Sequence, residues 1–155
     1  MSENLYTGFL ITPLTKNFRW NSTDDVIACP QTGLVRPSVN FLETAEAIQA
    51  LRQWYRGAIT IISGFRCPEY NQQVKGAADS HHLLNLTDPT DDRFAVDLEP
   101  TLAAGMVPPR APLREVIGLV ARKAEAMGFT GIGLYNKYLH LDRRRGPREI
   151  WDERT

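Results

Sequence analysis

The chain of 155 residues has two cysteines, three histidines, no run of about 18 apolar residues and no excess of either charge. Two cysteines, Cys29 and Cys67, are too few for a disulfide scaffold, and their spacing matches no zinc finger. In a reducing compartment they read as free thiols. Without a long apolar run no membrane-spanning helix is expected. The first ten residues, Met1 to Leu10, lack a basic segment ahead of an apolar core, so a secretory leader is not predicted and synthesis in the cytoplasm is. Eighteen Lys and Arg against eighteen Asp and Glu give no global field to draw the chain to nucleic acid or anionic lipid. With 43% hydrophobic and 23% charged residues, disorder and fibrous structure are excluded as well. What is present is the composition of one soluble domain whose binding must come from a local site.

Residues 1–37 are irregular and rich in turn signals, and read as an arm or cover on a main domain at 38–155. Phe41, Leu42, Ala45, Ile48, Leu51 and Tyr55 fall on one helical face between a Ser38 cap and a Gly57 stop. Ala58 to Ser63 is a β-branched run closed by Gly64, a buried strand, and Pro68 opens a short helix to about Val74. Residues 75–93 have no period and form a loop. Phe94 to Leu98 predicts a strand, and Leu113, Val116, Ile117, Val120, Ala124 and Met127 predict a second long helix ending at Gly128. Gly131–Tyr135 and Tyr138–Asp142 predict a hairpin about Asn136-Lys137. Without regular β-α-β alternation, the expected fold is α+β, a small antiparallel sheet flanked by helices.

All three histidines, His81, His82 and His140, lie in the C-terminal half, with Asp97 on the strand between them. His82, Asp97 and His140 offer two imidazoles and a carboxylate, a set suited to zinc with one position left open. A hydrogen-bonded structural His–Asp pair is the simpler reading of the same residues.

Five ordered blocks add specificity. They are Ser63-Gly-Phe-Arg-Cys-Pro-Glu-Tyr-Asn71, Val74 to His82 ending in Ser-His-His, Ala95-Val-Asp97, Phe129 to Tyr135, and His140-Leu-Asp142. Together they resemble the zinc D-alanyl-D-alanine carboxypeptidase and L-alanyl-D-glutamate endopeptidase family, the LAS-type peptidoglycan peptidases. The resemblance runs from about residue 14, at Leu14-Thr-Lys-Asn-Phe18, to Trp151. It implies Zn2+ held by His82, Asp97 and His140, Ser80 and His81 in the substrate site, and Arg66 at the developing oxyanion. It also implies a peptidoglycan stem peptide as substrate, and family members carry cysteine where Cys29 and Cys67 stand.

The chain departs from that family in three ways. The usual base two or three residues before the last histidine is replaced by Tyr138 and Lys137. Asp142 is either the substitute base or a carboxylate that orients a histidine through its far nitrogen. Eight residues are inserted between His82 and Asp97, either as a lid or specificity loop or as the mark of a site freed from catalytic demand. The glycine after the first histidine is missing, with Leu83 in its place. His81 is a spare ligand, a proton shuttle or the variable residue of Ser-x-His. Arg143-Arg-Arg145 is either a solvated face or a contact for anionic wall polymer. The leading expectation is a zinc peptidase cutting a D-amino-acid-containing bond of the stem peptide. Without a leader it would be delivered by lysis or by a virus particle. The alternatives are a virion or tail component that keeps the fold as a binding module, and a carboxypeptidase for cytoplasmic dipeptides.

Overall fold

The computed structural model describes residues 6–7, 26–85, 87–102 and 111–155. Strand β1 (Tyr6–Thr7) pairs antiparallel with β2 (Leu34–Val35). The block Leu14 to Phe18 and the connection 103–110 lie outside the described residues. Helix α1 (Val39–Tyr55) starts where the Ser38 hydroxyl accepts the Phe41 N–H at 3.0 Å. It buries Phe41, Ala45, Ile48, Leu51 and Tyr55 of the expected apolar stripe, whereas Leu42 is exposed and Thr44 takes a buried place. The chain leaves it at Arg56, which takes the left-handed conformation (φ 58°) one residue before the expected Gly57. Helix α2 (Pro68–Gln73) is capped by the Cys67 sulfur, which accepts from the Tyr70 N–H. Helix α3 (Leu113–Ala126) ends just before Gly128, whose φ of 99° favours glycine.

Strands β3 (Ile59–Ser63), β4 (Ala95–Pro100), β5 (Gly131–Leu134), β6 (Leu139–Asp142) and β7 (Glu149–Asp152) form one sheet in the order β3-β4-β6-β5-β7. All its pairings are antiparallel except β5–β7, which is parallel, so the sheet is mixed where a wholly antiparallel one was expected. The segment 143–148 carries the chain past β5 to its free edge. β7 is mostly exposed, so it has no alternating apolar pattern to announce it.

Alternation along the strands divides the sheet into two faces. Ile59, Ile61, Val96, Leu98, Leu139, Leu141, Ile132 and Leu134 are buried on one of them. α3 packs against β5 and β6, and α1 against α3. The rings of Phe41, Phe65 and Phe94 meet at 4.6–5.5 Å and extend this core to the loop after β3. Residues 26–29 lie along β3: Val26 donates to Ile61 O, and Phe65 to Ile27 O, at 2.8 Å each. A Cβ at Gly64 would overlap the Ile27 backbone, so glycine permits the close approach. Ile27, Ala28 and Cys29 are fully buried, which makes this part of the expected arm a piece of the core.

Candidate metal centre

The other sheet face carries the chemistry. One rung crosses all five strands: Ser63 opposite Asp97, Asp97 opposite His140, His140 opposite Gly133, and Gly133 opposite Trp151. The next rung runs Ala95, Asp142, Gly131, Glu149. Opposed residues point to the same face, so the register alone brings Asp97 beside His140 and places Asp142 one rung away.

His82 comes from the loop. Its chain is pinned to the segment after β3 by Arg66 N to His82 O at 2.8 Å and Leu84 N to Arg66 O at 2.7 Å. Ser80 Oγ accepts from the His82 N–H at 3.2 Å, closing the turn that presents the ring. His82 Nε2 then stands 3.2 Å from Asp97 Oδ1 and 3.2 Å from His140 Nδ1, and His140 Nδ1 stands 3.3 Å from Asp97 Oδ1. Among the described residues these three form the one group able to share an ion, and all are buried.

That triangle fits zinc. Bonds of about 2.0–2.1 Å at tetrahedral angles separate ligand atoms by about 3.3 Å. Both rings are also held with the appropriate nitrogen facing inward. His82 Nδ1 lies 2.7 Å from the Gly64 carbonyl, which can only accept, so that nitrogen carries the proton and Nε2 is free to donate its lone pair. His140 Nε2 lies 2.7 Å from Asp142 Oδ2, leaving Nδ1 for the centre.

Asp142 is fully buried and its oxygens are occupied. Besides His140, they accept from the Arg144 backbone at 3.0 Å, from Nε at 2.8 Å and from Nη2 at 2.6 Å. Arg144 in turn bonds Glu149. This chain of charges keeps Asp142 behind His140, away from the open side. Glycines make the room: a Cβ at Gly131 would overlap the Asp142 carboxylate, and one at Gly133 the Trp151 indole.

Electrostatics follow from burial and partners. Burial alone would raise the Asp97 carboxyl, but His82 and His140 outweigh it and hold it well below the carboxylate range. Burial pushes His82 down. In His140 burial also opposes charge, yet the carboxylates of Asp142 and Asp97 prevail and raise it. Asp142 is held low, against its burial, by Arg144 and His140.

The centre opens on a cavity of about 670 Å³. Arg66 lines it, with Nη2 3.2 Å from Asp97 Oδ2 and Nε 3.1 Å from Ser63 Oγ. Ser80 and His81 line it as well, and His81 stands apart from the ligand triangle. Tyr138 forms a wall, stacked on Tyr135 at 4.5 Å, and Tyr135 accepts the Trp151 indole N–H at 2.9 Å. Arg144, Tyr135 and Trp151 were not singled out as site residues. The pair Asp142-x-Arg144 and the spaced glycines Gly131 and Gly133 were the signals available for them.

No described residue of the loop 83–93 lines this cavity. Cys29 and Cys67 are buried free thiols, with the Cys67 N–H 3.3 Å from the Cys29 sulfur. Among the described residues no helix is long and apolar enough to cross a membrane. A family model described as Peptidase M15 matches residues 16–142. No curated protein and no solved structure matches the chain.

Proposed function

From the premise that the chain belongs to the peptidase M15 family, we propose that it is a zinc-dependent peptidase acting on a D-amino-acid-containing bond of the peptidoglycan stem peptide. The observation that carries the reading is the triangle of His82 Nε2, Asp97 Oδ1 and His140 Nδ1, with sides of 3.2–3.3 Å, at the floor of an open cavity.

His82, Asp97 and His140 would hold the metal. When bound, zinc supplies Lewis acidity toward a peptide carbonyl and makes water acidic enough to attack near neutral pH. The side chains do the rest. Gly64 O and Asp142 fix the two imidazoles, so no reorientation accompanies binding. Arg66 stands beside Asp97 with its guanidinium on the cavity wall, a fixed cation for the charge that develops on the carbonyl oxygen. Ser80 shapes the turn, and the Tyr138–Tyr135–Trp151 wall bounds the peptide.

Asp142 acts in this reading as a positioning residue, since its oxygens are spent on His140 and Arg144. The cavity's carboxylates other than Asp97 are Asp79, exposed on its wall, and Glu149, which Arg144 bonds.

Elemental analysis of protein purified without added zinc, followed by digestion of peptidoglycan, tests the reading. About one zinc per chain, lost in His140→Ala, together with release of new amino termini or free D-alanine, is expected. Absence of both zinc uptake and cleavage would overturn it and leave a peptidase fold used for binding.

A further inference from the structure

Beside the metal cavity lies a second cavity of about 410 Å³, walled by the first turn of α1, the end of the inserted loop and Arg143 to Arg145. His81, Arg144 and Arg145 line both, so the two spaces are neighbours across one ridge. Four arginines, Arg93 among them, face Glu43 and Asp92 here, an excess of positive charge.

These arginines are not equally committed. Arg144 is tied to Asp142, and Arg93 to Asp91 through contacts at 2.7–3.2 Å. Arg143 reaches Glu43 at 3.6 Å, too far for a hydrogen bond, and Arg145 pairs with Asp92 while 89% exposed. Loose, solvated pairs of this kind are worth little and yield readily to a better anion.

The wall that faces them is built firmly. Arg36, itself buried, donates to the carbonyls of Asp88 at 2.7 Å and Asp91 at 3.0 Å. Asn40 Nδ2 donates to the Asp92 carbonyl at 2.9 Å. The inserted residues are thus anchored to the start of α1 and border this second space.

We propose that the second cavity is a subsite for a carboxylate-bearing residue of the peptide substrate, so that one peptide spans it and the metal centre. The assignment rests on the peptidase reading and adds the chemistry of the flanking residue. A carboxylate gains charge-assisted hydrogen bonds from Arg143 and Arg145 that a carboxamide lacks. It also explains what the insertion contributes: a wall for specificity instead of a cover for the metal.

The test uses a matched pair, the stem peptide L-alanyl-γ-D-glutamyl-L-lysyl-D-alanyl-D-alanine and the same peptide with its glutamyl α-carboxylate converted to carboxamide. With zinc-loaded protein the acid form should show kcat/KM about tenfold or more above the amide. Arg143→Gln should bring the ratio toward one, while Arg148→Gln, at a residue that pairs with Glu125 and lines neither cavity, should keep it. Calorimetric titration of both peptides into the metal-free protein gives a second readout. Acid-selective binding without cleavage supports the subsite and overturns the peptidase reading. Cleavage of both peptides at equal efficiency supports the peptidase and overturns the subsite, as does selectivity that survives in Arg143→Gln. Equal binding of the pair, combined with polyphosphate binding that is lost in Arg143→Gln, also overturns it and assigns the arginines to a polymeric anion.

Discussion

Asp142 separates two roles that a sequence leaves together. Lying two residues from His140 on a strand, it had to share a face with that imidazole, which suits a base and an orienting group equally. Its full burial and its bonds to His140 Nε2 and Arg144 give it the second role in the proposed reading. Asp142→Asn should therefore weaken zinc affinity by about 10–100-fold. At saturating zinc it should leave the acid limb of the kcat profile unmoved, and loss of that limb with affinity intact would reverse the assignment. A pH dependence follows for His140. Its pKa in the metal-free fold is raised, so its protonation stabilises that fold below the unfolded value of about 6.5, an effect lost as pH rises through the raised folded value. Metal needs the neutral ring, so the sign for binding is opposite. Zinc affinity should fall about tenfold per pH unit below the raised pKa. His82 is pushed down by burial, so it competes for protons only at lower pH than His140. Competition with a chelator across a pH series should give a slope near one below the raised pKa that levels off above it, and a curve flat throughout would contradict it.

Strands β5 and β7 show how backbone spacing makes room for side chains. Gly133→Ala should cost about 1–3 kcal/mol, because the Trp151 indole lies where the methyl would go and must be displaced. Thermal denaturation and Trp fluorescence would report both effects, and an unchanged spectrum would deny the contact. At the other end of the fold, Ser38→Ala should cost about 1 kcal/mol by removing the α1 cap, read from a denaturant midpoint. Much of this was open to inference from residues alone. The stripe Phe41 to Tyr55, the α3 stripe and the hairpin about Asn136-Lys137 are periodic, and periodicity survives as burial. The His–Asp–His set was proposed from donor chemistry and from the likeness of five motifs; the register of β4 and β6 pairs Asp97 with His140, and the loop adds His82. β7 was missed because an exposed edge strand has no apolar alternation. Arg144 was passed over as one of three basic residues, since charge alone does not tell a buried partner from a solvated face.

The three residues proposed to hold the metal come from places distant along the chain: a loop at His82, a central strand at Asp97 and its neighbour at His140. Zinc should therefore report on the whole fold. At a free concentration near 100 times its Kd it should add about 2.7 kcal/mol. For a chain of this size that raises Tm by about 5–10 °C, reversed by a chelator and absent in His82→Ala. A chelator-insensitive Tm with zinc still bound would show that the site is decoupled from global stability. The boundary of the family match adds a last consequence. It ends at Asp142, two residues past His140, whereas Trp151 and Glu149, which wall the cavity, lie beyond it on β7. An edge strand touches one neighbour in the sheet, so its residues can be exchanged without re-registering the other four. Substitutions on β7 can therefore reshape the cavity wall at Glu149 and Trp151 while the pairing of β3, β4, β6 and β5 is kept.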